Sequence, residues 1–237
     1  MDVPTNITPT GFLRDFQRPK RQLILNAPED SELPVYVHFL FDKSGSFQRH
    51  ANALGAAFQS IVEQLLKTRG AENLFFSATE MSGHVVSSPY APLRDFRAPN
   101  IPAGDQSPHA AMLASARKVD APLIGVPRKA SLIRIIACDG LSTDSWEELC
   151  AEVDWLKNAQ NVDSRFQVFT LQIGDCCNSE LLKSFSVNRP QFDIFDYDFS
   201  RFVNEIVALV TATIVDPTVP ARSLSLREIA RPNPRVK

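Results

Sequence analysis

Asp42-Lys43-Ser44-Gly45-Ser46 places one carboxylate and two hydroxyls at alternate positions, directly after the apolar run from Val35 to Phe41. These side chains offer only oxygen donors, the ligand type that hard divalent cations take, with water filling the remaining positions. A long amphipathic pattern starts at Phe47, so a helix N-terminus stands beside the donors and adds positive backbone dipole and loose N–H groups. Taken alone, Asp42 and Ser44 are better read as capping groups for that helix. A cation site needs further donors from elsewhere in the chain.

The elements that must position such donors can be read from the apolar spacing. Val35–Phe41 mixes β-branched and aromatic residues with almost no polar break, which predicts a strand covered on both faces. Leu54, Phe58, Ile61, Val62, Leu65 and Leu66 fall at spacings of three and four, which predicts a helix over 47–68 closed by Arg69-Gly70. Asn73–Thr79 and Gly83–Ser88 read as an antiparallel strand pair. Pro89 to Pro102 holds four prolines and reads as mostly extended loop. A helix with a weak apolar stripe follows from Pro108 through Ala116. Ser131–Cys138 is a second buried strand, and it too ends in an acid, Asp139-Gly140. Asp144 with Glu147 three residues on resembles a helix start, and Trp146, Leu149, Val153 and Leu156 keep helical spacing. A strand at Arg165–Ile173, a short helix at Ser179–Phe185, a short strand at Phe192–Phe195 and a last helix over 199–214 complete the order.

Strands alternating with helices predict an α/β chain with a doubly wound, Rossmann-like, mostly parallel sheet of about six strands, helices on both faces and one antiparallel edge strand. Ligands of such sheets sit at the carboxyl ends of the strands, near the switch in strand order. Asp42 and Asp139 both lie at strand carboxyl ends, so the fold brings them together. Residues 1–33, with five acids and four bases, read as an extended arm. Residues 34–215 form the domain, and 216–237 a basic, proline-containing tail.

Asp42-x-Ser44-x-Ser46 after a first buried strand resembles the metal-ion-dependent adhesion site of von Willebrand factor A domains. Ala103-Gly104-Asp105-Gln106-Ser107-Pro108 occupies the place of that family's Gly-rich turn, and Cys138-Asp139-Gly140 through Trp146 the place of its second acidic loop. The latter run, together with Pro92-Leu93-Arg94-Asp95-Phe96-Arg97-Ala98-Pro99, is similar to the bacterial TerY-type branch associated with tellurite-resistance and stress gene clusters. The resemblance implies that Ser44, Ser46 and Ser107 bind a metal through their hydroxyls, with Asp42 and Asp139 acting directly or through water. Asp105, Gly140 and Asp144 would stand around that set. The implied ion is Mg²⁺, with Mn²⁺ or Ca²⁺ as substitutes, and an acidic side chain of a partner protein completes the coordination. Kinases and phosphatases of the same gene cluster are among the partners implied. The chain departs from the pattern at Gln106, where glycine is usual, at Ser107, where threonine is usual, and at Cys138, where a hydroxyl is common.

Asp105 reads otherwise as a solvated turn acid, and Asp144 as a helix N-cap. Asp196 and Asp198 read as turn and cap residues, His109 as a surface helical histidine, and Trp146 and Trp155 as packing residues. The four histidines are scattered and the four cysteines form no CxxC pair, so these spacings do not predict a zinc site. Cys176-Cys177 reads as a pair of reduced thiols at a strand end, with a redox switch as the alternative. The net charge of −2 points away from nucleic acid and anionic lipid surfaces. No apolar run reaches membrane-span length, and no signal pattern opens the chain, so a cytoplasmic protein is expected. No nucleotide-binding glycine fingerprint is present. A non-enzymatic interaction module is the leading reading. The alternatives are a Mg²⁺-dependent phosphatase or phosphotransferase, which would require an acid where Ser44 stands, and an assembly scaffold with a vestigial metal site.

Overall fold

Val35–Asp42 forms strand β1, and every residue of it is buried. The computed structural model describes residues 33–45, 47–125, 130–173, 178–186, 192–194 and 199–215. The N-terminal arm, the basic tail, Cys176-Cys177, Asp196 and Asp198 lie outside the described residues. After β1 come helix α1 (Gln48–Leu65), a 3₁₀ turn (Ala71–Asn73) and strands β2 (Leu74–Met81), β3 (Val85–Ser87) and β4 (Ala91–Pro92). Helix α2 (His109–Asp120), β5 (Ser131–Cys138), α3 (Trp146–Val162), β6 (Phe166–Ile173), α4 (Ser179–Ser184), β7 (Phe192–Ile194) and α5 (Phe199–Val215) follow.

The strands make one sheet in the order β3-β2-β1-β5-β6-β7, with β4 also paired to β2. β2, β1, β5, β6 and β7 run parallel, while β3 and β4 pair antiparallel with different stretches of β2. This is the expected mostly parallel α/β sheet. The proline-rich stretch adds the two-residue β4 that spacing did not reveal. Proline is tolerated there because β4 lies at the border of the sheet and gives up only one donor.

Alternation along β1 divides the core. Val35, Val37, Phe39 and Phe41 face one apolar layer with α1 and α5, whereas Tyr36 and Leu40 join a second layer with α2, α3 and α4. In the first layer Phe58 of α1 meets Phe39 and Phe41 edge-on, with ring centroids at 4.7 and 5.0 Å. Such pairs add about 0.5–1.5 kcal/mol beyond area burial. α1 ends at Leu65, a little before its apolar pattern does, and Gly70 turns the chain at φ 84° into the 3₁₀ turn.

α3 starts differently from the expectation. Its N-cap is Ser145, whose hydroxyl accepts from the Glu148 N–H while the Glu148 carboxylate accepts from the Ser145 N–H. Asp144 is therefore not the cap of α3. Trp146, expected to pack, is 71% exposed; as the first helical residue it precedes the stripe formed by Leu149, Val153 and Leu156. Trp155 does pack, beneath the Arg117 and Arg134 guanidinium groups.

The second layer also encloses a charged network. Asp120 Oδ1 accepts from His38 Nδ1 and from the Tyr90 hydroxyl, each at 2.7 Å, and its Oδ2 accepts from Arg134 Nε at 2.8 Å and from Nη2. His38 Nε2 reaches Thr79 Oγ1 at 2.8 Å. His38, Asp120 and Arg134 are wholly buried. Burial opposes the Asp120 charge, yet His38 and Arg134 outweigh it and lower its pKa to about 2.

Candidate metal centre

Because β1 is flanked by β2 on one side and β5 on the other, strand order reverses around it, and the crevice opens at the carboxyl ends of β1 and β5. Register sets the donors there. Phe41 lies opposite Ala137, so Asp42 ends β1 just as Asp139 follows the end of β5. Both carboxylates are buried. Asp42 Oδ1 accepts the Ser44 N–H at 2.7 Å, which folds the chain back at the strand end. Asp42 Oδ2 has no hydrogen-bond partner. Asp139 Oδ1 accepts the Leu141 N–H at 2.9 Å, and its carbonyl accepts from Asn178 N at 2.8 Å.

Two loops bring in the hydroxyls. Buried Ser44 forms a parallel bridge with Gly104, which ties the 103–107 loop to the end of β1. Gly104 has to be glycine, because a Cβ there would stand 2.8 Å from the Gly83 nitrogen. Ser107, also buried, exchanges bonds with the acidic loop: its N–H donates to Thr143 Oγ1 at 3.2 Å, and its carbonyl accepts the Thr143 N–H at 3.0 Å. Gly140 adopts φ +73°, and a Cβ on it would come within 3.0 Å of the Asn178 carbonyl oxygen. The loops carrying Ser107 and Asp139 are thus fixed to each other and to β1. Ser46 lies outside the described residues.

The surrounding residues divide. Asp105 is exposed, with Oδ1 turned toward Gly45. Asp144 holds the N-terminus of α2, where its Oδ2 accepts the Ala110 N–H at 2.6 Å and the Ser142 hydroxyl at 2.8 Å. It is a capping acid after all, for a helix 34 residues earlier in sequence.

His109 is the residue that sequence reasoning placed wrongly. It is fully buried, not a surface histidine. With Asp42 and Asp139 it forms a group whose ligand atoms all lie within 4.8 Å of one another. His109 Nε2 stands 3.5 Å from Asp42 Oδ2. Burial works against an imidazolium here, but the adjoining Cys138 sulfur and Asp42 carboxylate outweigh it and raise the pKa to about 10. Burial pushes the Cys138 thiol up. A signal was present in the sequence: 109, 112, 113, 116 and 120 form the buried stripe of α2, and His109 opens it.

These residues fit a divalent cation. Two buried carboxylates repel each other unless a positive charge stands between them. Asp42 Oδ2 is buried and makes no hydrogen bond of good geometry, with His109 Nε2 standing off at 3.5 Å. Lys43 does not supply the charge, since its ammonium turns to Glu80 at 2.8 Å and to the Ile101 carbonyl at 3.3 Å; without a metal, the buried His109 ring 3.5 Å from Asp42 Oδ2 is the group that offsets part of the repulsion. On the α1 side of Asp42 a cleft of about 380 Å³ opens, lined among others by Gln48, Asn52, Phe58 and Ile101.

No protein-family profile matches the chain, and no curated protein matches it in sequence. Solved structures do. The von Willebrand factor domain of the type V pilus tip protein Mfa5 from Porphyromonas gingivalis is 12% identical at a TM-score of 0.58, over 78% of this chain and 97% of that one. A von Willebrand factor type A protein from Catenulispora acidiphila is 15% identical at 0.54, over 77% of this chain and 43% of that one. The proximal thread matrix protein 1 of the mussel byssus, solved with a zinc-occupied MIDAS motif, is 15% identical at 0.54, over 76% and 46%. The fold is that of von Willebrand factor type A domains. The chain spans about half the length of the byssus and Catenulispora chains it matches.

Proposed function

We propose that this chain is a metal-dependent protein-interaction module in which Asp42, Ser44, Ser46, Ser107 and Asp139 hold a divalent cation that docks an acidic side chain of a partner protein. The observation that carries this reading is the convergence of the buried Asp42 and Asp139 carboxylates, with ligand atoms within 4.8 Å of each other, at the ends of neighbouring parallel strands. The oxygen donors suit Mg²⁺, with Mn²⁺ or Ca²⁺ as substitutes. Bound there, the ion supplies an electrophilic position for an incoming carboxylate. The protein's own part is positional: β1 and β5 present the carboxylates, and the bridged Ser44–Gly104 and Ser107–Thr143 contacts hold the loops at fixed distance. Ser44 stands where a phosphatase of this strand-end type would need its second acid, which supports a docking role without turnover.

The runs Pro92–Pro99 and Asp139–Trp146 support a finer assignment to the TerY-like branch. We infer from it a cytoplasmic role in bacterial tellurite or toxic-ion stress, or in phage defence, with a kinase or phosphatase among the partners. Neither nucleic acid nor membrane is expected as a partner; no helix among the described residues is long and apolar enough to cross a membrane.

A pull-down with the wild-type protein and Asp42→Ala, in Mg²⁺ and in EDTA, tests the docking role. The wild type should retain its partner in Mg²⁺ alone, and the variant in neither buffer. Equal capture in EDTA would overturn the reading.

A further inference from the structure

The oxygen donors of the proposed site do not account for His109. We propose that His109 is itself a metal ligand, through Nε2, and that it shifts the site's preference from Mg²⁺ and Ca²⁺ toward borderline transition-metal ions such as Mn²⁺, Co²⁺ and Zn²⁺. This inference rests on the reading of Asp42 and Asp139 as cation ligands and adds to it a nitrogen donor that changes which ion binds.

Three observations carry it. First, the imidazole is wholly buried, and its nitrogens make no hydrogen bond of good geometry, with only the Asp42 carboxylate and the Cys138 sulfur set loosely against the ring. Buried imidazoles ordinarily make well-formed hydrogen bonds, so a ring held only by long contacts requires an explanation. Second, the ring is aimed at the two carboxylates. Nε2 is 3.5 Å from Asp42 Oδ2, which makes no hydrogen bond of good geometry. Two bonds of about 2.1 Å to one ion, the usual Zn–N and Zn–O length, span about 3.5 Å when they meet at roughly 110°, the tetrahedral value. The third member of the group, Asp139, offers a carboxylate oxygen within 4.8 Å of the ligand atoms of the other two.

Third, the ring is held in place from behind. His109 is the first residue of α2, and Asp144 fixes that helix end through the Ala110 N–H at 2.6 Å. Pro108, just before it, has its own φ fixed by the ring, near −76°, where the chain enters the helix. The imidazole is therefore presented to the crevice without a large entropic cost. Imidazole is a good donor to Mn²⁺, Co²⁺ and Zn²⁺ and a poor one to Mg²⁺ and Ca²⁺, which favour oxygen. One nitrogen with two carboxylates and hydroxyls is a mixed N/O set that hard ions use poorly.

The full chain, the His109→Leu variant and the Asp42→Ala variant are titrated with Mg²⁺, Mn²⁺ and Zn²⁺ by calorimetry. Wild-type protein loaded with Mn²⁺ is examined in parallel by pulsed EPR for coupling to an imidazole nitrogen. The proposal predicts Mn²⁺ and Zn²⁺ binding at least tenfold tighter than Mg²⁺ in the wild type. In His109→Leu, Mn²⁺ and Zn²⁺ binding should weaken about tenfold or more while Mg²⁺ changes less than threefold. The nitrogen coupling in the wild type does not depend on any variant folding. Mg²⁺ binding that requires Asp42, with no nitrogen coupling, overturns the inference and leaves the oxygen site standing. Unchanged or tighter Mn²⁺ binding in His109→Leu also overturns it, since His109 would then be a fixed counter-charge. Divalent binding that is absent, or that survives Asp42→Ala, removes the site reading and this inference together.

Discussion

Asp120 sets the clearest prediction at the residue scale. Its carboxylate is wholly buried between His38, Tyr90 and Arg134, and its pKa is lowered to about 2. A lowered carboxylate pKa contributes stability that is present above the unfolded value near 4 and is lost as pH falls toward 2. The shift corresponds to about 2 kcal/mol, so acid unfolding should steepen between pH 4 and 2. Asp120→Asn should flatten that slope and cost about 3–5 kcal/mol at neutral pH, because Arg134 is left buried without its counter-charge. Denaturant melts across pH check both; an unchanged acid slope in the variant would remove the claim. Sequence reading found neither this network nor His109. In both cases ionisable residues occupy core positions of α2, where hydrophobic periodicity registers only a weak stripe. Their partners, His38, Arg134 and Asp42, come from strands, beyond the reach of helical spacing.

At the scale of elements, the strands and their acid-terminated ends were legible. Runs such as Val35–Phe41 and Ser131–Cys138 are apolar on both faces because helices cover both faces of a parallel sheet. The loops were legible only in outline. β4 escaped notice because two residues among prolines carry no alternation. The start of α3 was misread by one residue, since Asp144 and Ser145 are both good caps and only tertiary contact assigns Asp144 to α2. Asp144→Ala should accordingly cost about 0.5–2 kcal/mol, the usual loss of a helix cap, and should weaken metal binding by loosening the helix end that carries His109. A metal titration alongside a chemical melt separates the two effects; stability loss without any change in metal affinity would argue against that coupling. Gly140→Ala is predicted to be worse placed than an ordinary loop substitution. Its φ of +73° costs a side chain about 1–2 kcal/mol, and the added Cβ would press on the Asn178 carbonyl at 3.0 Å. A normal melting temperature for Gly140→Ala would contradict this account of the turn.

For the whole molecule, the candidate site draws on β1, the 103–107 loop, the loop after β5 and the first residue of α2. The 103–107 loop and His109 adjoin, but β1 and the loop after β5 lie far from them and from each other in sequence, so an unfolded chain cannot assemble the donor set. A cation bound there therefore stabilises the folded state by mass action, about 2.7 kcal/mol at a hundred times its dissociation constant. For a domain of this size that is a rise in Tm of roughly 5–10 °C. In the proposed reading Asp42 anchors the divalent-cation site. Thermal melts of the wild type and Asp42→Ala, each in EDTA and in increasing Mg²⁺ or Mn²⁺, test it most directly. Metal should raise the Tm of the wild type and leave that of the variant unchanged. Equal rises in both proteins, or none in the wild type at millimolar metal, would contradict it.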